Sequence, residues 1–350
     1  MAERRSLTSR EYWIERSQQR ESAVWKKAGV FEAAVEKNAL AAMDQIGRDV
    51  ASLYARYATT EGISLADAYI ELNATEMRGI RSRLKSLYKE FNKSGDAEIM
   101  REISRLSMKS RITRFEDLAL SMNASVSRMT GKNIATLEKA VGVAYRDSSL
   151  RLRYDLASAV GRGNASLASI NEAAVAKMIK MRLLAKNFSA GTAINPLWTN
   201  KTRLISNLKT TLTQSLAGGY GLPKATALFR QGMESGRAAA LRVVRTEYAN
   251  AIETAVKDDY EEFGVDQYQF MATLDDRTSD ICGALDGEIF DVKDAQEGVN
   301  YPPMHPNCRS TTIPYIDGGV SSRVARNLDS GKSYSMGQYQ TYEEWAKDRL

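Results

Sequence analysis

Proline is absent from the first 195 residues of this 350-residue chain, and all six prolines fall between Pro196 and Pro314. Proline removes an amide donor and clashes with the preceding helical turn. A long stretch without it, rich in Ala, Leu, Lys, Arg, Glu and Met, therefore permits long helices. Nothing in that stretch reads as a strand followed by a tight hairpin turn. The fold class expected is mainly α, in a chain with room for roughly two domains. An elongated helical body takes residues 1–235 and a small α+β module takes 236–318. A partly extended tail over 319–350 is rich in Ser, Gly and Tyr.

Composition narrows the class further. With 43% hydrophobic and 26% charged residues, disorder throughout and a collagen-like fibre are excluded. No run of about 18 uncharged apolar residues exists, so no membrane-spanning helix is expected. The first residues, Met-Ala-Glu-Arg-Arg-Ser, lack the apolar core of a secretory signal. Two cysteines cannot staple a fold of this size, which points to a reducing cytosol.

Within the helical body, segment 8–60 offers Thr8 or Ser9 as N-caps. An amphipathic stripe follows through Tyr12, Trp13, Val24, Trp25, Val30, Phe31 and Val35. The spacing predicts further helices over 65–92, 95–128, 132–160 and 166–187, interrupted at Gly62, Gly95, Gly131 and Gly161–Gly163. Residues 187–196 read as a loop. Leu204, Ile205, Leu208, Leu212 and Leu216 then mark one apolar face, and Gly218-Gly219-Tyr220-Gly221 stops that helix. Pro223 suits a first helical turn, and a long helix is expected from about Ser235 to Phe263, capped by Gly264.

Charge is as uneven as proline. Residues 101–250 carry 24 basic and 9 acidic groups, whereas 251–300 carry 3 and 14, inside a whole-chain net of +6. A basic helical band attracts phosphates at long range. It serves equally well against an acidic partner protein or the chain's own acidic segment. No helix-turn-helix, zinc-finger or aromatic-stacking signature supports base reading, so any DNA contact is expected to be non-specific and salt-sensitive.

From Gln267 the period changes. Tyr268, Phe270, Ala272 and Leu274 alternate with Gln267, Gln269, Met271 and Thr273, as in a strand. Asp286-Gly287 reads as a turn between short extended pieces, and Thr311-Thr312-Ile313 as another strand. The only histidine and both cysteines lie within the 27 residues from Cys282 to Cys308. Cys282, His305 and Cys308 offer two thiolates and an imidazole to zinc, leaving a fourth position for Asp276, Asp280 or water. A disulfide and two inert buried thiols are the other readings of the same residues, and the sequence leaves all three open. Beyond that zinc, no cofactor is expected.

Three blocks in order carry a resemblance. They are Arg245-Thr246-Glu247, then Asp275-Asp276-Arg277-Thr278 with Cys282 and Asp286-Gly287, and then Pro302-Pro303-x-His305-Pro306-Asn307-Cys308-Arg309. Together they resemble the minor head protein (head morphogenesis) family of tailed bacteriophages. Tyr12-Trp13-x-x-Arg16 and Tyr342-Glu343-Glu344-Trp345 are similar to that family's ends. The resemblance covers residues 240–315.

It implies a low-copy virion component inside the phage head, present in the host cytoplasm during assembly. Such a protein associates with the portal during procapsid assembly and contributes to DNA packaging or ejection. Scaffold or major capsid protein are further partners it suggests, with non-specific DNA contact and no membrane. Family members often carry Cys-x-x-Cys and His-x-x-Cys-x-Cys. Here Ser279 and Ser310 take the outer positions, and serine is a poor zinc ligand.

An enzyme is the competing class: a nuclease or transferase using Cys282, His305 and Cys308. One histidine cannot be both metal ligand and general base. Glu343 and Glu344 are adjacent, so the chain also lacks a transferase-type Glu-x-Glu pair. No enzymatic activity is expected. Arg245 and Glu247, two apart on a helix, do not face one another. Arg245 is expected to tie the helix to Asp275 or Asp276, and Arg309 to pair with the acidic segment.

Overall fold

A computed structural model describes residues 9–57, 74–94, 99–101, 103–104, 113–160, 170, 172–179, 196–316, 324–326 and 333–335. Six long or moderate helices appear in order: α1 (Ser9–Tyr57), α2 (Ala74–Ser94), α3 (Arg114–Val160), α4 (Glu172–Ile179), α5 (Pro196–Ala217) and α6 (Leu222–Phe263). Strand β1 (Gln267–Met271), the short helix α7 (Asp280–Leu285), β2 (Ile289–Asp291) and β3 (Thr311–Tyr315) follow. A further pair, β4 (Val324–Arg326) and β5 (Ser333–Ser335), is antiparallel. The fold is mainly α with a small α+β module, as the proline distribution permits. Thr8, Gly62, Gly95, Gly161–Gly163, the 187–195 loop and Tyr342–Trp345 lie outside the described residues.

Two helices run further than their glycines suggest. Gly131 sits inside α3 rather than interrupting it, and a Cβ there would meet nothing within 4 Å. A single helical glycine costs about 1 kcal/mol. The buried neighbours Met129, Asn133 and Leu137 repay that by packing. Likewise α6 starts at Leu222, with Pro223 in its first turn, not near Ser235. It passes through Gly232 and Gly236 because Leu204 packs against the bare backbone at Gly236, where a Cβ would lie 2.7 Å from Leu204 Cδ2.

The chain forms two compact units. One comprises Met1–Phe31, Leu137–Met181 and Val244–Leu350, and the other Glu32–Thr136 and Arg182–Val243. α1, α3 and α6 each contribute residues to both.

In the second of these units one apolar seam joins four helices. Ala39, Ala42, Ile46, Val50 and Leu53 recur every three or four residues on α1, and Leu118, Met122, Val126 and Met129 do so on α3. The expected α5 face, Leu204 to Leu216, is buried against Ala225, Phe229 and Met233 of α6. Each such aliphatic side chain contributes about 1.5–3 kcal/mol on burial. The turn after α5 closes with Gly219 in the left-handed region at φ 58°. There the Tyr220 amide donates back to Ser215 O at 2.9 Å.

The unit that carries the α+β module packs α1, α3 and α6 through Val24, Ala28, Tyr145, Tyr154, Tyr248, Ile252 and Tyr260. Buried arginines inside it meet carboxylates. Arg16 Nε donates to Asp155 Oδ1 at 2.6 Å, and the fully buried Arg153 donates to Asp259 Oδ1 at 2.7 Å. α6 ends at Gly264, φ 68°, with the Val265 amide returning to Tyr260 O. The sheet has the order β2-β1-β3, antiparallel throughout, with Tyr268 opposite Phe290 on one side and Pro314 on the other. Tyr268 and Phe270 are buried as the alternation predicts, but so is Gln269. Its side chain accepts from Arg10 and donates to Gly287 O, which explains a polar residue on a covered face.

Candidate metal centre

Ser279 caps the N-terminus of α7, where its Oγ accepts the Cys282 amide at 3.2 Å. The cap sets Cys282 in the first turn. Cys282 is buried against Phe270 and Cys308, with Ala272, Leu285, Phe290 and Met304 around them. The facing turn, His305-Pro306-Asn307-Cys308, closes with the Cys308 amide donating to His305 O at 3.0 Å. Asn307 takes the left-handed conformation, φ 61°, that asparagine tolerates better than most residues. Its amide donates to Thr246 Oγ1 on α6 at 3.1 Å.

These two segments bring the three predicted ligand atoms within 4.8 Å of one another. Cys282 Sγ lies 3.3 Å from His305 Nε2 and 3.8 Å from Cys308 Sγ. Both thiols are free; a disulfide would require the sulfurs to close to about 2.0 Å. Two thiolates on a tetrahedral zinc at about 2.3 Å stand about 3.8 Å apart. The histidine is oriented for the task. His305 Nδ1 is 3.0 Å from Pro306 O, and a carbonyl only accepts, so Nδ1 carries the proton and the Nε2 lone pair faces the sulfurs. Two thiolates, an imidazole lone pair and an apolar surround fit zinc chemically. Asp276 and Asp280, weighed as a fourth ligand, are exposed and outside this cluster. The atom beside the three is Ser279 Oγ, 3.0 Å from His305 Nε2.

The other motif residues build the frame. Asp286 Oδ1 accepts the Ala272 amide at 2.8 Å, and Gly287, at φ 85°, donates its amide to Phe270 O at 2.9 Å. The Asp286-Gly287 turn thus locks α7 to β1. Arg309 pairs with the acidic segment as expected, gripping Asp275 through both oxygens at 2.5 and 2.6 Å. Of the two carboxylates expected to meet Arg245, Asp275 is therefore held by Arg309, with the Arg277 amide donating to it as well. Those hydrogen bonds, Arg309's first, hold the Asp275 carboxyl well below the usual carboxylate range. Asp276 and Arg277 are exposed, Glu247 is buried and Arg245 exposed on α6. The peptide between Pro302 and Pro303 is cis, and both rings are buried.

Sequence reasoning missed two interacting acidic residues, the buried Glu253 and the partly exposed Glu21. Glu253 on α6 accepts from Thr311 Oγ1 at 2.6 Å, and its own carbonyl accepts from Tyr301 OH. Glu21 on α1 accepts from Trp25 Nε1 at 2.9 Å and lies 4.0 Å from Arg20. Burial, and then the charge of Glu21, push Glu253 well above the ordinary carboxylate range, against the pull of Thr311 and Arg20. Burial raises Glu21 too. Separations of more than two hundred residues left no pattern by which to find the pair.

With the three motif blocks thus gathered on α6, α7 and the 302–309 turn, the comparison with known families acquires a structural meaning. Residues 206–313 match the family described as phage Mu protein F like protein. It is a family of phage head morphogenesis proteins. The matched segment begins within α5, runs the length of α6 and ends on β3, so it contains all three blocks together with Ser279, Cys282, His305 and Cys308. The resemblance read from the motifs is borne out. No curated protein and no solved structure matches the chain. No helix among the described residues is long and apolar enough to cross a membrane.

Proposed function

We propose that this chain is a minor capsid protein of a tailed phage, a low-copy virion component that binds the portal during procapsid assembly. The observation that carries the reading is the match of residues 206–313 to a head morphogenesis family. Long helices such as α1, α3 and α6 suit lateral packing along a helical partner, which supports the portal as that partner. The basic excess over 101–250 suits packaged DNA or an acidic portal surface. Catalysis is not part of this function. His305 is the only imidazole, and one histidine cannot be both metal ligand and general base.

The test is co-expression with the portal protein of the same phage, followed by size-exclusion chromatography at low and high salt. Co-elution that survives high salt is expected for apolar helix packing. Absence of co-elution at both salts would refute the portal assignment.

Within the same reading, zinc held by Cys282, His305 and Cys308 ties α7 to the 305–308 turn. When bound, the ion supplies a crosslink in place of the disulfide that a reducing cytosol disfavours. Chelator should lower the melting temperature of the wild-type protein and leave that of Cys308→Ser unchanged. Equal responses would exclude the metal.

A further inference from the structure

We infer that the metal centre is coordinatively open, and that its fourth position takes a water or hydroxide held by the Ser279 hydroxyl. The inference rests on the zinc reading above. Its ground is the hydrogen-bond order around Ser279. The Cys282 amide donates to Ser279 Oγ, so that oxygen already accepts one bond. Because His305 Nδ1 carries the imidazole proton, Nε2 is an acceptor, and the 3.0 Å contact is Ser279 O–H donating to it.

A metal ion claims that same Nε2 lone pair. The Ser279 hydroxyl then loses its acceptor while staying beside the cluster. A neutral hydroxyl is a weak ligand for zinc beside two thiolates and an imidazole, so the hydroxyl serves as a donor. The group it can serve is an oxygen ligand on the metal. The two sulfurs are buried in the Phe270 cluster, whereas Ser279 and His305 are partly exposed, so the remaining position opens on their side. Three protein ligands with an exchangeable fourth is the arrangement of open zinc sites, in which bound water is more acidic than bulk water. Small monodentate anions are the ligand class that competes for such a position.

The experiment loads the full-length chain with Co2+, whose visible spectrum reports its ligands, and titrates it with azide and with pH. Azide should shift the spectrum, and a single transition should appear on the alkaline side of neutral pH, because two thiolates offset the ion's charge. Ser279→Cys should abolish both responses by supplying a thiolate to the fourth position. Ser279→Ala should keep the azide response and bind Co2+ about tenfold more weakly, as loss of a supporting hydrogen bond does. A wild-type spectrum indifferent to azide and to pH would overturn the open site while leaving the metal centre standing. Failure of the wild-type chain to take up Co2+ would remove the metal centre itself and this inference with it.

Discussion

Asn307 and Thr246, 61 residues apart, are joined by a 3.1 Å hydrogen bond from the Asn307 amide to the Thr246 hydroxyl. The bond fastens the turn bearing His305 and Cys308 to α6. Thr246→Val removes the acceptor at nearly constant volume and should cost about 0.5–1.5 kcal/mol, whereas Thr246→Ser should cost less. Urea unfolding of the three proteins checks this. Equal midpoints for Val and wild type would show that the bond contributes nothing.

Asn307 itself sits at φ 61°, where β-branched residues are strained. Asn307→Gly should be tolerated and Asn307→Val should be destabilised by about 1–3 kcal/mol. The same unfolding series decides between them, and a neutral Val variant would contradict the backbone argument.

Asp275 and Arg309 form a two-pronged pair near the surface. The Asp275 carboxyl titrates below its usual range when folded, so its contribution is present above that range and lost as pH falls through the folded value. Arg309→Ala should therefore lose stability at neutral pH and approach wild type in acid. High salt should narrow the difference at neutral pH. Melting curves at both pH values test this, and a gap that persists in acid would count against the pair.

Glu253 behaves in the opposite sense. Its pKa is raised in the fold by burial and by Glu21, with Thr311, Arg20 and Cys308 also bearing on it. Its stabilising contribution is complete below the ordinary glutamate range and declines as pH rises toward the folded value. Glu253→Gln keeps an acceptor for Thr311 and removes the charge. Between about pH 5 and pH 8 its melting temperature should fall less than that of the wild type. Parallel declines, measured by calorimetry, would mean that Glu253 does not set the pH dependence.

Leu208 lies at the centre of the four-helix seam, 1% exposed. Leu208→Ala should cost about 2–5 kcal/mol by transfer and cavity terms together. Denaturant midpoints report it directly, and a loss under about 1 kcal/mol would imply that the seam collapses around the gap.

What the sequence made legible was whatever is local. β1, the Asp286-Gly287 turn, the α5 face and the Gly264 cap each announce themselves within a few residues. Gly131 misled because helix propensity is weak beside packing, and Leu204 against Gly236 is a contact no local pattern records. The centre was half legible: three ligand types clustered in 27 residues, but the orientation of His305 by Pro306 O was not written in spacing. Glu21 meeting the Glu253 region through Arg20 and Thr311 was invisible for the same reason.

The interlacing of α1, α3 and α6 through both units has a consequence for the order of synthesis. On the ribosome, Val24 and Trp25 emerge more than two hundred residues before Tyr248, whose hydroxyl donates to Val24 O and whose ring lies 5.2 Å from Trp25. Arg10 and Arg20 likewise precede their partners Gln269 and Thr311 by 259 and 291 residues. The part made first is thus finished last. A growing chain must keep the apolar face of α1 from other partners until the module that covers it has been translated.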